Sequence, residues 1–399
     1  MTDHIAADPL GPQAAQSPVG EAQAMPLVRL GSHDAAVAQL REILTHISLV
    51  ALDHECADAS VFDTTLDAAV RHFQQVHGLT VDGIVGPLTW RRALEARWRL
   101  GDRPLQLHPA GDRQATGDDV AALQRRLSDL GFDCGRVDGI FGTRTDAALR
   151  EFQMNIGIAA DGVCGPQTLR AFTNLARAIT GGRPEALREA HDWDHRQTGV
   201  FGKVVVIDPG HGDDDPGCAA NGITEADVVI DIAERMEKHL APQGVAVLLS
   251  RGRSFHHGRA LDDAARAEFA NSVAADAVLS LHVDETASPA ASGASAFYFG
   301  ADRHGSRSDS GQRLAESVLT EVSGLGLADL GTYPRTWDLL RITRMPAIRV
   351  YLGYATNQHD AGLLADPEFR EALAGALARA VVQCFTPVGS TAAAGHASG

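Results

Sequence analysis

The first half of the chain repeats itself, which restricts that half to a pair of small, similarly folded modules. The segment Phe62–Ala93 returns as Phe141–Phe172 at a constant offset of 79 residues, with about half of the positions identical. Asp67-Ala68-Ala69-Val70-Arg71-His72-Phe73-Gln74 aligns with Asp146-Ala147-Ala148-Leu149-Arg150-Glu151-Phe152-Gln153. Both copies continue through a glycine (Gly78, Gly157), an Asp-Gly pair (Asp82-Gly83, Asp161-Gly162) and a Gly-Pro step (Gly86-Pro87, Gly165-Pro166), with Thr89 or Thr168 behind. Upstream, Val37/Leu40/Leu44 and Val120/Leu123/Leu127 have the i, i+3, i+7 spacing of an amphipathic helix. Each copy therefore predicts helix, turn, helix, Asp-Gly turn, and a short helix entered through Gly-Pro with proline in its first turn. The copies differ in their first connection, where 45–61 is about four residues longer than 128–140.

After the second copy, residues 176–200 mix a Gly-Gly-Arg-Pro break with charges and read as a linker. Beyond it the pattern changes. Strand candidates at Lys203–Ile207, Val245–Leu249, Ala277–Leu281, Ser295–Phe299 and Ala347–Leu352 alternate with helical stretches at Glu225–Leu240, Leu261–Val273, Gly311–Leu325 and Asp366–Phe385. Such alternation predicts an α/β fold with a mostly parallel sheet flanked by helices. The expected organisation is a disordered N-terminus (1–30), modules at 31–97 and 115–175, the linker, an α/β domain at 201–385, and a small-residue tail (386–399) expected to be disordered.

Charge and cysteine content narrow the surroundings. Asp and Glu outnumber Lys and Arg by 51 to 35, a formal charge of −16 that disfavours nucleic acid and anionic lipid as partners. Five cysteines without CxxC spacing are expected to be mostly reduced. The first 25 residues carry neither a basic segment nor a continuous apolar one, and no apolar run is long enough to span a bilayer. The sequence-based expectation is a cytoplasmic protein.

In an open α/β sheet, ligands gather beyond the carboxyl ends of the strands. His211 ends the first strand in Ile207-Asp208-Pro209-Gly210-His211-Gly212, Glu225 opens the first helix behind Thr224, and His282 ends a central strand in Leu279-Ser280-Leu281-His282. Two imidazoles and one carboxylate leave a fourth tetrahedral position for water, as a catalytic zinc site requires. A metal-free pocket of hydrogen-bonded histidines is the alternative. Asp208 is placed either to orient His211 or to cap the turn. His256-His257 reads as solvent-facing. Cys218 would need a base beside it to act as a nucleophile, and His211 is already committed. Arg335, Arg341, Arg344 and Arg349 flank the last strand, as a solvated face or as a surface for an acidic ligand or phosphate.

These motifs resemble known families. The region 203–385 resembles the zinc-dependent N-acetylmuramoyl-L-alanine amidases of the amidase-3 type, through Asp208-Pro209-Gly210-His211-Gly212, the helix-opening Glu225 and Ser280-Leu281-His282. The repeats resemble peptidoglycan-binding modules of the PG-binding-1 type. The resemblance implies zinc held by His211, Glu225 and His282. It also exposes a departure: the family's last core strand reads apolar-apolar-Val-Glu-Leu-Gly-Phe, with the Glu as catalytic acid/base, and this chain reads Ile348-Arg349-Val350-Tyr351-Leu352-Gly353-Tyr354. A phenol titrating near pH ~10 cannot take a proton from zinc-bound water as a carboxylate does. Asp213-Asp214-Asp215 and Val283-Asp284 depart from the family as well, and Asp215, Asp284 and Glu285 are the carboxylates that could stand in.

The whole arrangement resembles an actinobacterial group of cytoplasmic amidase-like regulators. That implies partners: a peptidoglycan precursor or muropeptide, a MurA-like enzyme of precursor synthesis, and a serine/threonine kinase acting on the tail at Thr386 or Thr391. The alternatives are an active zinc amidase and a sensor of muropeptide or precursor.

Overall fold

A computed structural model describes residues 25–47, 58–108, 114–175, 197–212, 214–252, 261–301 and 306–386. It divides into two compact units, one of residues 1–75 and 81–181 and the other of residues 76–80 and 182–399, called the N-terminal and C-terminal units below. Asp213, His256-His257, Thr391, the segment 176–196 and the tail beyond Thr386 lie outside the described residues.

In the N-terminal unit, copy one comprises α1 (Ala35–His46), α2 (Thr64–Val76) and α3 (Pro87–Ala96), and copy two comprises α4 (Asp118–Asp129), α5 (Thr143–Asn155) and α6 (Pro166–Leu175). The apolar stripes bury Val37, Leu40 and Leu44 in one copy and Val120, Leu123 and Leu127 in the other. Phe152 stacks on Phe172 with centroids 4.2 Å apart and meets Phe132 edge-on at 5.5 Å.

The repeated polar residues build a clamp. Gln153 Nε2 donates to Asp161 Oδ1 (2.8 Å), Val163 O (3.1 Å) and Thr168 Oγ1 (3.2 Å), while Gly162 N donates to Gln153 Oε1 (2.9 Å). Gln74 repeats this with Asp82 and Ile84 O, and receives Gly83 N. A third copy, unanticipated from the offset, joins Gln124 to Asp138, Ile140 O and Thr145, with Gly139 N on its Oε1. Each clamp fixes an Asp-Gly turn against a helix and satisfies a buried amide completely, which is the condition under which buried polar groups are tolerated.

The expected boundary at residue 31 needs correction. Val28 is buried and pairs with Val85, and Pro26 O accepts the Trp90 indole N–H at 2.8 Å. A fully buried Trp needs that acceptor, so the module starts before residue 31.

In the C-terminal unit, β1 (Val204–Pro209) lies parallel between β4 (Ala246–Leu249) and β5 (Ala277–Asp284), and β5 pairs in parallel with β9 (Ala347–Tyr354). β6 (Ala294–Ala301) runs antiparallel to β9 and carries β8 (Asp329–Arg335) in parallel on its other side. Two short hairpin elements complete it: β2 (Ala219–Ala220) with β3 (Ile223–Thr224), and β7 (Ser306–Arg307) on β6. β8 was not anticipated, because Gly331 and Pro334 interrupt it. Within the described residues it pairs only with β6, an edge position where proline is tolerated.

The period-2 alternation of the strands sorts the sheet's two faces. Ile207, Leu279, Leu281, Ile348, Val350 and Leu352 share one core with α7 (Glu225–Leu240), α9 (Asp309–Ser323) and α12 (Pro367–Phe385). The intervening residues Asp208, Ser280, His282, Arg349 and Tyr351 occupy the opposite face, toward α8 (Asp263–Ser272) and α10 (Asp338–Ile342). Helix α11 (Gln358–Ala365) precedes α12. The unit is described from Gln197, whose neighbour Gly199 donates to Phe385 O at 2.9 Å, so residues 197–200 belong to the fold rather than to the linker. Thr386 ends α12, its hydroxyl donating to Val382 O at 2.8 Å. Cys134, Cys164, Cys218 and Cys384 are buried thiols outside any disulfide. No helix among the described residues is long and apolar enough to cross a membrane.

Replacing Gln153 by Leu strands Gly162 N–H and the acceptors around it, and is expected to cost about 1–3 kcal/mol. A lowered urea midpoint for the N-terminal unit checks this. A wild-type midpoint would show the clamp to be idle.

Candidate metal centre

The loop after β1 is built around a polar girder. Asp208 is nearly inaccessible and accepts hydrogen bonds from Ser250, Arg266 and Ser280, the last at 2.6 Å. Burial opposes its ionisation, but Arg266 and the two hydroxyls hold the carboxyl below its usual range. Arg266 then donates to Pro209 O and His211 O, both at 3.0 Å, and Arg251 donates to Pro209 O, Gly210 O and Ala226 O. Asp208 thus acts on the backbone through Arg266. It neither caps the turn nor touches the His211 ring.

That backbone is held in an unusual shape. His211 has φ +56°, a left-handed conformation that costs a non-glycine residue about 1–3 kcal/mol and concentrates at functional sites. A side chain at Gly210 would run into the His282 ring, and one at Gly217 would lie 2.6 Å from Glu225 Oε2 and 2.8 Å from His211 Cδ2. The glycines in this motif make room for the three polar residues.

Glu225, at the first turn of α7, joins them. Its carboxylate is favoured there by the helix N-terminus. Oε1 accepts from Val283 N at 3.0 Å and faces His282 Nδ1 at 2.9 Å, while Oε2 accepts from Cys218 N at 3.0 Å and faces His211 Nε2 at 3.2 Å. Burial works against its charge, but the contacts from both imidazoles hold the carboxyl well below the usual range. One ligand atom from each of His211, Glu225 and His282 lies within 4.8 Å of the others.

The far nitrogen of His211, Nδ1, meets Asp215 Oδ2 at 2.8 Å. Both ring nitrogens therefore face carboxylate oxygens, and Glu225 and Asp215 raise the affinity of His211 for a proton. Such an arrangement calls for a positive charge, either a proton on Nε2 or a metal ion in its place. His282 is the reverse case: burial, then the charge of Arg349, keep it neutral and fit to ligate. The donor set fits a divalent cation with an open position. Asp215, weighed from sequence as a stand-in base and as part of the negative charge behind His211, is the group that orients His211. The clue was its place four residues after that histidine.

Tyr351 stands in register with His282 on the neighbouring strand, their ring centroids 5.5 Å apart. Burial, only partly offset by the charge of Arg349, pushes its phenol up to about 12, so at neutral pH it donates a proton in hydrogen bonds and does not accept one as a base. Of the nearby carboxylates, Asp215 is engaged by His211. Asp284 is shifted upward by burial, with a backbone bond from Glu285 and the Tyr354 hydroxyl acting against it. Glu285 is exposed. Cys218 is pushed far above the ordinary thiol range by burial and by Glu225, which removes it as a nucleophile.

Residues 205–383 match the N-acetylmuramoyl-L-alanine amidase family model, and 33–92 and 116–172 match the peptidoglycan binding domain model. Over 371 residues the chain is 44% identical to N-acetylmuramoyl-L-alanine amidase CwlM of Mycobacterium tuberculosis, covering 90% of this chain and 89% of that one. The chain belongs to the N-acetylmuramoyl-L-alanine amidase family. N-acetylmuramoyl-L-alanine amidase LytC of Bacillus subtilis is 31% identical over 179 residues, 45% of this chain and 34% of its own length. Among solved structures, amidase AmiC2 of Nostoc punctiforme is 32% identical over 46% of this chain and 98% of its own, with a TM-score of 0.41. In this amidase-family chain His211, Glu225 and His282 converge as a candidate metal site, with the Tyr351 phenol beside His282.

If Asp215 orients His211 for a metal, Asp215→Asn lowers divalent-metal affinity about 10–100-fold. Competition with a chromogenic chelator measures it. Unchanged affinity would remove Asp215 from the site.

Proposed function

We propose that this chain is a catalytically impaired amidase-like protein that binds zinc and a peptidoglycan-derived ligand and acts as a cytoplasmic regulator of precursor synthesis. The observation that carries the reading is Tyr351, a protonated phenol where the pocket needs a proton acceptor. Zinc in this pocket would polarise an amide carbonyl and acidify a bound water. His211, Glu225 and His282 would hold the ion, with Asp215 fixing the His211 ring. Tyr351 can donate a hydrogen bond to a ligand oxygen, which favours retention, but it cannot collect the proton that hydrolysis releases. Loss of acid/base assistance alone lowers rates by about 10²–10⁴-fold.

The regulatory part follows the resemblance to the actinobacterial amidase-like regulators. It makes a MurA-like enzyme the target and a serine/threonine kinase the input, with phosphate added at Thr386 or Thr391. The paired N-terminal modules suit a peptidoglycan precursor or muropeptide as ligand. A second reading, an active zinc amidase, has the complete donor set in its favour.

One experiment separates the two. Zinc-loaded wild-type protein, Tyr351→Glu and Tyr351→Phe are incubated with purified peptidoglycan, and released stem peptide is quantified. The proposal predicts background release from wild type and Tyr351→Phe, and a gain of at least about 10²-fold for Tyr351→Glu. Robust release by the wild type would establish the second reading instead.

A further inference from the structure

The two N-terminal copies meet through charges that the repeat itself does not contain. Arg92 and Glu95 on α3 stand where copy two has Ala171 and Asn174. Asp118 and Asp119, just before Val120, stand where copy one has Ala35 and Ala36 before Val37. These four residues gather at the junction. Arg92 donates across it to Asp118 and, at 3.3 Å, to Glu95 Oε2 on its own helix. Arg92, Glu95 and Asp119 are all buried, a depth at which charged side chains are found paired.

The segment connecting the copies is tied at both ends. Arg99 donates to His46 O, at the end of α1, at 3.0 Å. Arg103 donates to both carboxylate oxygens of Asp119, at 2.7 and 3.2 Å, and to Thr116 O at 2.8 Å. The Trp98 ring braces the segment, its centroid 4.9 Å from the guanidinium carbons of Arg97 and Arg103. Leu105 then pairs with Cys164 in copy two as Val28 pairs with Val85 in copy one. Even the helix start serves the junction. Asp34 caps α1 through Ala36 N, whereas the corresponding Gly117 makes no side-chain cap bond to α4. A side chain at Gly117 would run into Asp119 and lie 3.1 Å from Glu95 O of copy one. Copy two thus gives up a stabilising cap where the two backbones approach each other.

We propose that this junction locks the two copies into one rigid body with a fixed relative orientation. Domains joined in series move against one another unless their interface holds them. A buried ion pair adds little net stability, but separating it strands a charge away from water, so it selects one arrangement over others. Any rotation between the copies parts Arg92 from Asp118 and pulls the connecting segment from His46 or from Asp119. The equivalent surfaces of the two copies are therefore presented at a single separation, and a partner that engages both must match it. The lock does not depend on what either copy binds.

Double electron–electron resonance on the full chain tests it. Spin-labelled non-canonical residues replace His72 and Glu151, which are exposed and equivalent positions on α2 and α5, so the native cysteines stay untouched. The otherwise wild-type chain should give one narrow distance distribution. Arg92→Gln and Asp118→Asn should each lose that peak to a broad distribution. A second pair of labels, at Arg126 and Glu151, lies within copy two, reports on its fold alone and should stay narrow throughout. A broad distribution between His72 and Glu151 in the wild-type background, or a narrow one kept in both variants, would overturn the lock. So would broadening of both label pairs together in both variants, which would make Arg92 and Asp118 part of the fold of copy two instead of a tie between copies.

Discussion

The carboxylate of Glu225 is the interaction around which the C-terminal unit is arranged. It is 2% exposed, sits at a helix N-terminus, and bridges two histidines delivered by two different strands. Its two backbone donors, Cys218 N and Val283 N, tie the loop before α7 to the strand β5. A buried anion of this kind is stable only with cationic or hydrogen-bonded partners on every side. The strained His211, the small residues around it and the Asp208–Arg266 girder all keep those partners in place.

Much of this was legible in the sequence. The triad could be found because each member sits at a strand end or helix start, where side chains converge irrespective of sequence distance. The helix expected at Glu225–Leu240 matches α7 residue for residue, and the strand positions hold to within a few residues at their ends. The repeat disclosed three-helix modules because its polar residues, Gln153 and Asp161 among them, are structural and therefore periodic. What escaped notice was either locally atypical or non-local. β8 breaks strand propensity with glycine and proline. The third clamp, on Gln124, does not follow the offset. Asp208 read as orienting His211 or as capping the turn, yet its partner Arg266 lies far along the chain and only folding brings it there. The N-terminal limit at residue 31 missed the Pro26 carbonyl for the same reason: the Trp90 indole that requires it is distant in sequence.

Tyr351 gives the site its asymmetry. On the candidate-ligand side of the pocket, Asp215 contacts the far nitrogen of His211, and burial keeps His282 neutral. The opposite wall offers the Tyr351 phenol, which burial keeps protonated at neutral pH. Two residues before it on β9, Arg349 is paired with Asp263 and buried against Trp337. Arg349 and Tyr351, two residues apart, share one face of β9.

The most direct test of this account is zinc K-edge X-ray absorption on the purified wild-type protein. Two imidazole nitrogens and a carboxylate oxygen in the zinc shell, with light-atom donors completing it, are the predicted result. A sulfur ligand from Cys218, or protein that takes up no zinc at neutral pH, would contradict the central claim that Glu225 and its two histidines form a metal centre.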